Sequence, residues 1–502
     1  MGDFITTAST SALPKYDVLI VGAGIAGSSL AHALANLPPR SSQSPLRIAL
    51  LERSLAEPDR IVGELLQPSG RASLAKLGLE SCTEGIDAAP VHGYCVCESQ
   101  LGGDDVGKKP RTVHIPYNNS DKGRSFHHGK FIMALRAKAL EAKNVDVVEA
   151  TVNTLIECND TGSVIGVKAT RAGGEQMEVY AELVVIADGC FSNFRSKVMG
   201  KAGAKATTKS YFVGAVLEDA ELPIPDHGTV VLTKGYGPVL FYRIGERDTR
   251  MLVDVKAPLP SDLSAHILQN VLPQMPPSLH QSMHAALSTQ RLRRMPNSFL
   301  PPVKQGTSQT KEGVLLLGDA WNMRHPLTGG GMTVALNDVV MVRDMISEVH
   351  DLSDWREVRD VLHRWHWARK PLASTINILS VALYDLFEAD DENLAVLREG
   401  CFKYFERGGE CVSGPVAILS GMAPSPWLLF THFFSVAFYS IWVLFTHARL
   451  VPGGEKPMYA VPTVDMYPEL AVKSVRVFYT ACVVFLPLIW SEIRWWAPAS
   501  AE

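Results

Sequence analysis

A glycine-rich turn near the beginning of the chain has the residue types and the spacing that bind a dinucleotide. Gly22, Gly24 and Gly27 follow the apolar run 16–21, and a helix-forming stretch rich in Ala and Leu comes next. In such a turn the first glycine permits the bend, the second lets a pyrophosphate approach the backbone, and the third lets the helix pack on the strand. The amides at the start of the helix then face the phosphates. The context of strand, turn and helix therefore predicts cofactor contacts at Gly22, Gly24, Ile25, Ala26 and Gly27.

A second apolar run, 46–51, ends at Glu52 and completes a βαβ unit. A carboxylate at the end of this strand is placed to accept hydrogen bonds from the ribose hydroxyls of the dinucleotide. The alternative is an ordinary exposed glutamate at a strand end. On these residues alone, NAD and FAD are equally compatible with the site.

Two further motifs join an apolar strand to an aspartate and a glycine. Asp188 and Gly189 follow the run 181–187, and Gly318 and Asp319 follow the run 313–317. Together with the glycines of 329–331, these motifs resemble those of the flavoprotein monooxygenase superfamily typified by p-hydroxybenzoate hydroxylase. The resemblance implies FAD as the cofactor, with Asp319 bonded to the ribityl chain. It also implies a helix just after the glycines, whose positive N-terminal end favours an anionic reduced ring; the alternative is a flexible loop before a core helix.

Longer segments resemble a narrower group, the squalene epoxidase family. The similarity lies in segments 57–68, 126–136, 322–332 and 414–420 and spans nearly the whole chain. It implies that Tyr94 lies near Gln67 at the flavin and that this pair serves catalysis. Further FAD contacts are implied at Glu52, Arg53, Arg60, Arg136, Val152, Asp188, Gly189, Asp319 and Met332. The implied substrate pocket is lined by Leu240, Tyr242, Pro326, Leu327, Phe387, Phe402, Phe405 and His432.

The reaction implied by this resemblance is the FAD-dependent epoxidation of squalene to (S)-2,3-oxidosqualene by O2. An alkene needs no deprotonation, so the site should offer a dry apolar pocket and a few hydrogen-bond donors instead of an acid and a base. The sequence has no second glycine-rich βαβ unit for a nicotinamide cofactor, so the family's separate NADPH-cytochrome reductase is the expected electron donor. The expected location is the cytosolic face of the endoplasmic reticulum membrane, with recovery in microsomes and on lipid droplets.

Two other functions remain open at this stage. A ring hydroxylase of the same superfamily would need a polar pocket that polarises a phenol. A non-catalytic lipid-binding protein on the same fold would hold no flavin. The aromatic residues Phe402 and Phe405 also have the spacing of ordinary helix core.

Several residue patterns argue against other kinds of site. The 48 basic and 52 acidic residues nearly cancel, which argues against nucleic acid as a partner. No metal site is predicted, because the pairs His127/His128 and His363/His366 lack cysteine or carboxylate neighbours at ligand spacing. Cys95 and Cys97 alternate on a predicted strand spanning 91–97, which favours a buried pair of free thiols on one face.

The C-terminal region carries long apolar runs. Segment 427–445 contains no Asp, Glu, Lys or Arg, and as a helix it would reach about 28 Å, close to the roughly 30 Å of a bilayer's hydrocarbon core. Segment 477–490 would reach only about 21 Å and contains Pro487, so it should not span unaided. Charged and tryptophan residues typical of a headgroup interface flank it: Lys473, Arg476, Trp490, Arg494, Trp495 and Trp496. We therefore expect a membrane hairpin of 427–445 and 477–496 that dips into one leaflet, the alternative being a buried helical pair.

These patterns predict an α/β fold with a discontinuous Rossmann-like FAD-binding domain, a β-sheet substrate domain and a C-terminal helical membrane-binding region. The predicted divisions begin with a polar segment at 1–15. The FAD-binding domain follows at 16–204, with substrate-domain strands inserted near 90–125, and resumes at 301–360. The substrate domain takes 205–300, and the helical region takes 361–502.

Overall fold

The computed structural model describes residues 16–38, 44–99, 111–200, 203, 205–388, 391–451 and 458–493. The predictions for 1–15 and for Arg494, Trp495 and Trp496 lie outside these residues. The strands are β1 Tyr16–Val21, β2 Ile48–Glu52, β3 Leu65–Leu66, β4 Ala89–Val91, β5 Gly93–Glu98, β6 Thr112–Pro116, β7 Gly123–Ser125, β8 Val145–Glu157, β9 Val164–Arg171, β10 Gln176–Ile186, β11 Thr207–Glu218, β12 Gly228–Leu232, β13 Val239–Arg243, β14 Asp248–Lys256, β15 Arg293–Phe299, β16 Val314–Leu316, β17 Arg449–Val451 and β18 Met458–Ala460. The α-helices are α1 Ile25–Ala35, α2 Pro68–Lys76, α3 His128–Leu140, α4 Arg195–Met199, α5 Leu263–His266, α6 His280–Thr289, α7 Gly331–Ile346, α8 Trp355–Ala368, α9 Lys370–Glu388, α10 Glu392–Glu406, α11 Glu410–Leu419, α12 Pro426–Thr446 and α13 Tyr467–Ile493.

A parallel sheet in the order β8–β2–β1–β10–β16 forms the first layer, and β9 pairs antiparallel with the outer parts of β8 and β10. Its central strands are apolar on both faces because helices cover them, and Val18, Leu19 and Ile20 have no exposed surface. The three strands predicted from separate parts of the chain, β1, β10 and β16, are neighbours in this sheet. The predicted α/β class with a discontinuous dinucleotide fold is therefore confirmed.

A second sheet of seven strands has the order β15–β11–β14–β13–β12–β5–β6. All its pairings are antiparallel except that of β12 with β5. Strands β5 and β6 precede the other five strands of this sheet in the sequence, and they lie at one edge of the sheet. The face that carries Tyr94, Leu240 and Tyr242 packs with one apolar cluster, and the face that carries Cys95 and Cys97 packs on another, which includes residues of α6.

The single strand predicted over 91–97 is wrong, because His92 separates two strands. Strand β4 belongs to a small sheet with β3 and β7, whereas β5 belongs to the seven-stranded sheet. The break is enforced at Gly93, whose φ is +154° and where a Cβ atom would lie 2.3 Å from the carbonyl oxygen of Ile115. The prediction that both thiols lie on one face of a strand is confirmed, since the sulfur atoms of Cys95 and Cys97 lie 3.5 Å apart on β5.

Two apolar helices, α12 and α13, pack on each other and on the helices α9 and α10. The expectation that the second is too short is wrong: α13 has 27 residues and continues through Pro487. Segments 426–446 and 464–492 are both long and apolar enough to cross a membrane. A proline removes one backbone hydrogen bond from a helix, and Phe485, two residues before Pro487, is fully buried among aromatic residues of α12.

Candidate functional site

One cavity of about 620 Å³ is lined by residues of both sheets. The loops that follow β1, β10 and β16 meet there because the carboxyl ends of adjacent parallel strands lie at the same edge of a sheet. Strands β12, β13 and β14 supply part of the remaining wall. The cavity therefore joins the predicted dinucleotide turn to the second sheet.

Most residues of the predicted cofactor and substrate sites line this one cavity. They are Gly22, Gly24, Ile25, Ala26, Glu52, Arg53, Arg60, Tyr94, Arg136, Val152, Asp188, Gly189, Leu240, Tyr242, Asp319, Pro326, Leu327 and Met332.

The three glycines of the turn differ in their surroundings. Gly22 has a φ of +102°, and a Cβ atom there would lie 2.5 Å from the carbonyl oxygen of Ala187. A Cβ on Gly27 would lie 1.9 Å from the carbonyl oxygen of Gly22, so this glycine lets α1 pack against the turn. Gly24 has no atom within 4 Å of a Cβ position. The open space lies where a pyrophosphate would approach the backbone.

Glu52 and Arg136 support this turn from neighbouring elements. Glu52 Oε2 accepts a hydrogen bond from the amide of Ala23 at 2.7 Å. Arg136 lies on α3, and its Nε donates to the carbonyl oxygen of Ala23 at 2.9 Å. One of its terminal nitrogens lies 3.6 Å from Glu52 Oε2. Glu52 therefore fixes the turn while lining the cavity.

Arg195 joins the two aspartate-glycine motifs. Its side chain donates hydrogen bonds to the carbonyl oxygens of Cys190, Asp319 and Ala320 at 3.1, 2.9 and 2.7 Å. One guanidinium thus holds the loop after β10 against the loop after β16. Burial raises the pKa of Asp188 in the first loop.

Four residues of the cavity lining carry a buried polar atom that has no hydrogen-bond partner among the described residues: Asp188 Oδ1, Thr229 Oγ1, Arg324 Nε and Thr328 Oγ1. Buried polar groups in proteins are nearly always paired, so these atoms indicate a polar ligand. The cavity also has an open position at Gly331, the first residue of α7, where a Cβ atom would meet nothing within 4 Å. A negatively charged group there would face the positive end of that helix. These residues fit FAD.

Gln67 is the centre of a buried hydrogen-bond network. Its Nε2 donates to the hydroxyl of Tyr94 and, at 2.8 Å, to the carbonyl oxygen of Thr328. Its Oε1 accepts from the hydroxyl of Tyr117 at 2.6 Å. The structure thus brings together Tyr94 and Gln67, although Gln67 itself does not line the cavity. Desolvation by burial raises the pKa of Tyr94 to about 12, so its hydroxyl stays protonated at neutral pH.

The predicted substrate residues separate into two groups. Leu240, Tyr242, Pro326 and Leu327 line the cavity, but the four helical residues Phe387, Phe402, Phe405 and His432 do not. Phe387 and Phe402 belong to the apolar cluster that also contains Tyr94 and Leu240, and Phe405 packs against that cluster. His432 lies farther back, where its Nδ1 is 3.0 Å from the hydroxyl of Tyr404. These four side chains lie in the packed core behind this cavity, and their contact with the substrate stays a prediction.

A buried ion pair interrupts the apolar wall of the second sheet. Arg250 donates two hydrogen bonds of 2.8 Å to the carboxylate of Glu64, which lines the cavity and is 1% exposed. The hydroxyl of Tyr242 donates to the same carboxylate at 3.3 Å. The bidentate pairing neutralises the glutamate, so this wall offers the cavity no free base.

The histidine pairs of the sequence are used in local structure. His127 Nε2 lies 3.0 Å from Asp248 Oδ2, and His363 Nε2 lies 3.0 Å from the carbonyl oxygen of Gly306. Within the described parts of the chain, no group of three or more His, Cys, Asp or Glu residues could hold a metal ion.

Comparison with known proteins identifies the family. The family model for squalene epoxidase matches residues 180–453. A squalene monooxygenase of Mus musculus is 41% identical to this chain over 98% of the chain and 80% of the relative. The chain belongs to the squalene epoxidase family. Another relative, a squalene epoxidase of Aspergillus fumigatus, is 44% identical over 95% of this chain and 93% of its own length.

Solved structures share the fold of this family at much lower identity. A flavin-dependent brominase is 16% identical and superposes with a TM-score of 0.65 over 84% of this chain and 98% of its own. A Klebsiella pneumoniae protein, solved with FAD and uric acid, is 19% identical, with a TM-score of 0.60 over 83% of this chain and 99% of its own. The apolar helices α12 and α13 follow the part of the chain that carries the nucleotide-binding motifs.

Sequence reasoning missed several residues of the site. Tyr117 and Arg250 lie in no motif, and Glu64 lies in segment 57–68 but had no predicted role. Their contacts join positions 50 to 186 residues apart. Arg195 follows the first aspartate-glycine motif, and Arg324 lies in segment 322–332, but no role was predicted for either. A signal for both existed, since an arginine beside a glycine-rich cofactor loop is a candidate for holding that loop.

Proposed function

We propose that this protein is an FAD-dependent squalene monooxygenase that converts squalene and O2 to (S)-2,3-oxidosqualene. The observation that carries the proposal is that one cavity joins the glycine turn and both aspartate-glycine loops to the apolar wall around Leu240. Membership of the squalene epoxidase family supports the choice of substrate. A membrane-dissolved C30 hydrocarbon suits an enzyme with two exposed apolar helices.

Different residues of the cavity would bind different parts of FAD. The turn at Gly24 would receive the pyrophosphate, Glu52 the ribose, and Asp319 the ribityl chain, while the start of α7 and Arg324 would face negative charge on the ring. When bound and reduced, FAD supplies the activation of O2 and the transfer of one oxygen atom to the alkene. The remaining assigned FAD contacts, at Arg53, Arg60, Arg136, Val152, Asp188, Gly189 and Met332, are part of this proposal.

The protein side chains would bind and orient instead of exchanging protons with squalene. Tyr94 and Gln67 would fix the geometry at the reacting carbon atoms, since a protonated hydroxyl held by an amide and a carbonyl oxygen can orient but not ionise. Leu240, Leu327 and their neighbours would exclude water from the bound alkene. Oxygen transfer to one face of the double bond then follows from the position of the substrate.

We also propose the partners, the location and the domain division. Electrons would come from NADPH through a separate NADPH-cytochrome reductase, and the helices α12 and α13 would hold the protein on the cytosolic face of the endoplasmic reticulum, with a share on lipid droplets. The FAD-binding domain would comprise 16–204 and 301–360, the substrate domain 205–300, and the membrane-binding region 361–502.

The test uses full-length protein purified in detergent. The protein should be yellow with the absorption bands of bound flavin, and it should form 2,3-oxidosqualene when supplied with squalene, O2, NADPH and a reductase. Asp319→Ala should purify with little FAD, because losing the carboxylate leaves buried ribityl hydroxyls unpaired at about 1 to 3 kcal/mol. A colourless wild-type protein would favour the lipid-binding alternative, and a flavin-loaded protein that oxidises phenols but not squalene would favour a ring hydroxylase. Full FAD content in Asp319→Ala would remove this residue from the site.

A further inference from the structure

The last turn of α13 is held to α9 by a buried carboxylate. Glu492 is 3% exposed. Its two carboxylate oxygens accept hydrogen bonds of 2.8 Å from Asn377 Nδ2 and Ser374 Oγ. Lys370 Nζ lies 3.3 Å from the same carboxylate. The polar end of an otherwise apolar helix is thus docked inside the protein.

The same asparagine of α9 continues the contact toward the cavity. Asn377 Nδ2 also donates to Asn322 Oδ1 at 3.3 Å. That oxygen accepts further hydrogen bonds from Arg369 Nη2 at 3.1 Å and Arg324 Nη2 at 2.8 Å. Asn322 is 1% exposed. It is therefore a buried junction between α9 and the loop that leads to α7.

Arg369 makes this junction rigid. It donates to both carboxylate oxygens of Asp338 on α7, at 2.8 and 2.7 Å. Its guanidinium carbon lies 4.6 Å from the ring centre of Trp321. Both charges of the pair are almost fully buried, so breaking the pair would be costly. Arg369 is therefore held in place where it contacts Asn322.

Arg324 is the end of the chain of contacts and lines the cavity. Among the described residues its guanidinium is held by Asn322 and by the carbonyl oxygen of Gly331, not by a carboxylate. Desolvation lowers its pKa to about 10, so the group stays a cation at neutral pH. The carboxylates of Asp319, Asp338 and Glu492 oppose that lowering.

The opposite side of α13 is exposed and apolar. Val475, Tyr479 and Trp490 are 71%, 69% and 57% exposed. One helix therefore has a face suited to lipid and an end connected to the cavity wall.

We propose that Glu492 is a positioning residue for the flavin site. Through Asn377 and Asn322 it holds Arg324 at the cavity wall, so the site is complete only when α13 is docked on α9. The inference rests on the proposed function, because it assigns FAD to the cavity. The guanidinium then stabilises negative charge on reduced FAD, and the docking of the membrane helix contributes to flavin affinity and reduction potential.

The test compares Glu492→Ala and Glu492→Gln with the wild-type holoenzyme in detergent, where membrane attachment plays no part. Glu492→Ala should release FAD about tenfold faster, as expected for losing hydrogen bonds to a charged group. The midpoint potential of its remaining flavin should fall, because the displaced cation no longer stabilises the reduced ring. Glu492→Gln keeps the length of the side chain and one acceptor oxygen, which can still accept from Asn377, while it removes the charge. Its flavin should therefore be retained and its potential should not fall.

Lys473→Ala is the matched control, because it removes an exposed ion pair with Glu392 from the other end of α13 and should leave FAD release and potential unchanged. The inference would be overturned if Glu492→Ala had the FAD release rate and the midpoint potential of the wild type. A rise of the midpoint potential in both Glu492 variants would also overturn it, because only the loss of a negative charge would then act on the flavin. Equal flavin loss in Lys473→Ala would also overturn it, since the effect would then be general loosening of the helix. These outcomes leave FAD binding itself intact, whereas a wild-type protein without flavin would contradict both proposals.

Discussion

At the scale of single residues, the hydroxyl of Tyr94 is the group whose role can be isolated most cleanly. It is buried beside Gln67 and lines the cavity. The ring of Tyr94 also packs edge-on against Tyr117, with ring centres 5.8 Å apart. Packing and hydrogen bonding therefore both hold this side chain, and only the second depends on the oxygen atom.

Tyr94→Phe keeps the ring and removes the hydroxyl. We expect normal expression and FAD content, an at least tenfold fall in epoxide formation, and reducing equivalents diverted to hydrogen peroxide, because a misplaced reacting centre wastes the oxidant. The measurement is the ratio of epoxide to hydrogen peroxide per NADPH consumed.

Tyr16→Phe is the control for this substitution, because it removes another largely buried tyrosine hydroxyl, which donates to Asp146 at the first sheet. It should leave that ratio unchanged. An unchanged ratio in Tyr94→Phe would make Tyr94 an ordinary part of the pocket wall.

At the scale of elements, the glycine turn between β1 and α1 separates a binding role from a folding role. Gly24→Ala should give a folded protein, because its φ is −83° and the added methyl group meets no protein atom. It should bind FAD more weakly, since the methyl group enters the space for the pyrophosphate.

Gly27→Ala is the contrasting variant, because its methyl group would lie 1.9 Å from the carbonyl oxygen of Gly22. We expect α1 to lose its packing on the turn and the soluble yield to fall. Yield and FAD content of the two purified proteins are the measurements. Equal FAD content in Gly24→Ala and wild type would show that no phosphate lies over this glycine.

We predict that the hairpin of α12 and α13 has a membrane-binding face that can be disrupted without unfolding the protein. Val475 and Val483 are 71% and 52% exposed on α13. The double variant Val475→Asp/Val483→Asp should keep its fold and move from the membrane pellet to the soluble fraction, because carboxylates oppose insertion into hydrocarbon.

Leu140→Asp supplies the control for the hairpin variant. Leu140 is 58% exposed at the end of α3, in the part of the chain that carries the nucleotide-binding turn, so its replacement should leave membrane partition unchanged. Continued sedimentation of the double variant with membranes would assign attachment to another surface.

At the scale of the whole molecule, stability should depend on pH through His128. This side chain lines the cavity, its Nδ1 lies 2.9 Å from the carbonyl oxygen of Gly63, and burial lowers its pKa from 6.5 to about 4. Between these values the unfolded chain binds a proton that the folded chain does not. The contribution is fully present above pH 6.5 and is lost as the pH falls toward 4, by about 3 kcal/mol.

Urea unfolding of the detergent-solubilised protein at pH 7.5 and pH 4.5 measures this dependence. His128→Gln should show a smaller loss of unfolding free energy between the two pH values than wild type. The profile should not become flat, because burial also lowers the pKa of His325 and of His366 to about 3. His350→Gln, at a histidine whose side chain is 89% exposed, should behave as wild type. Identical profiles for His128→Gln and wild type would show that this group does not carry the effect.

The sequence by itself determined the features that depend on neighbours along the chain. The glycine turn, the carboxylate at the end of β2, the three apolar strands that precede cofactor loops and the alternation of Tyr94 with Cys95 all follow from local spacing. Segments quoted from across the chain were also sufficient to indicate the squalene epoxidase family. Each of these signals lies within a few residues, where periodicity and turn chemistry act.

Only the tertiary structure decided which distant groups meet. Gln67 bonds the carbonyl oxygen of Thr328 across 261 positions, and Glu492 bonds Asn377 across 115; no local pattern reports such pairs. The same reason applies to the C-terminal helices. Pro487 continues a helix because tertiary packing outweighs its missing hydrogen bond, and Phe402 and His432 lie behind the cavity because the packing of α10 and α12 sets their direction.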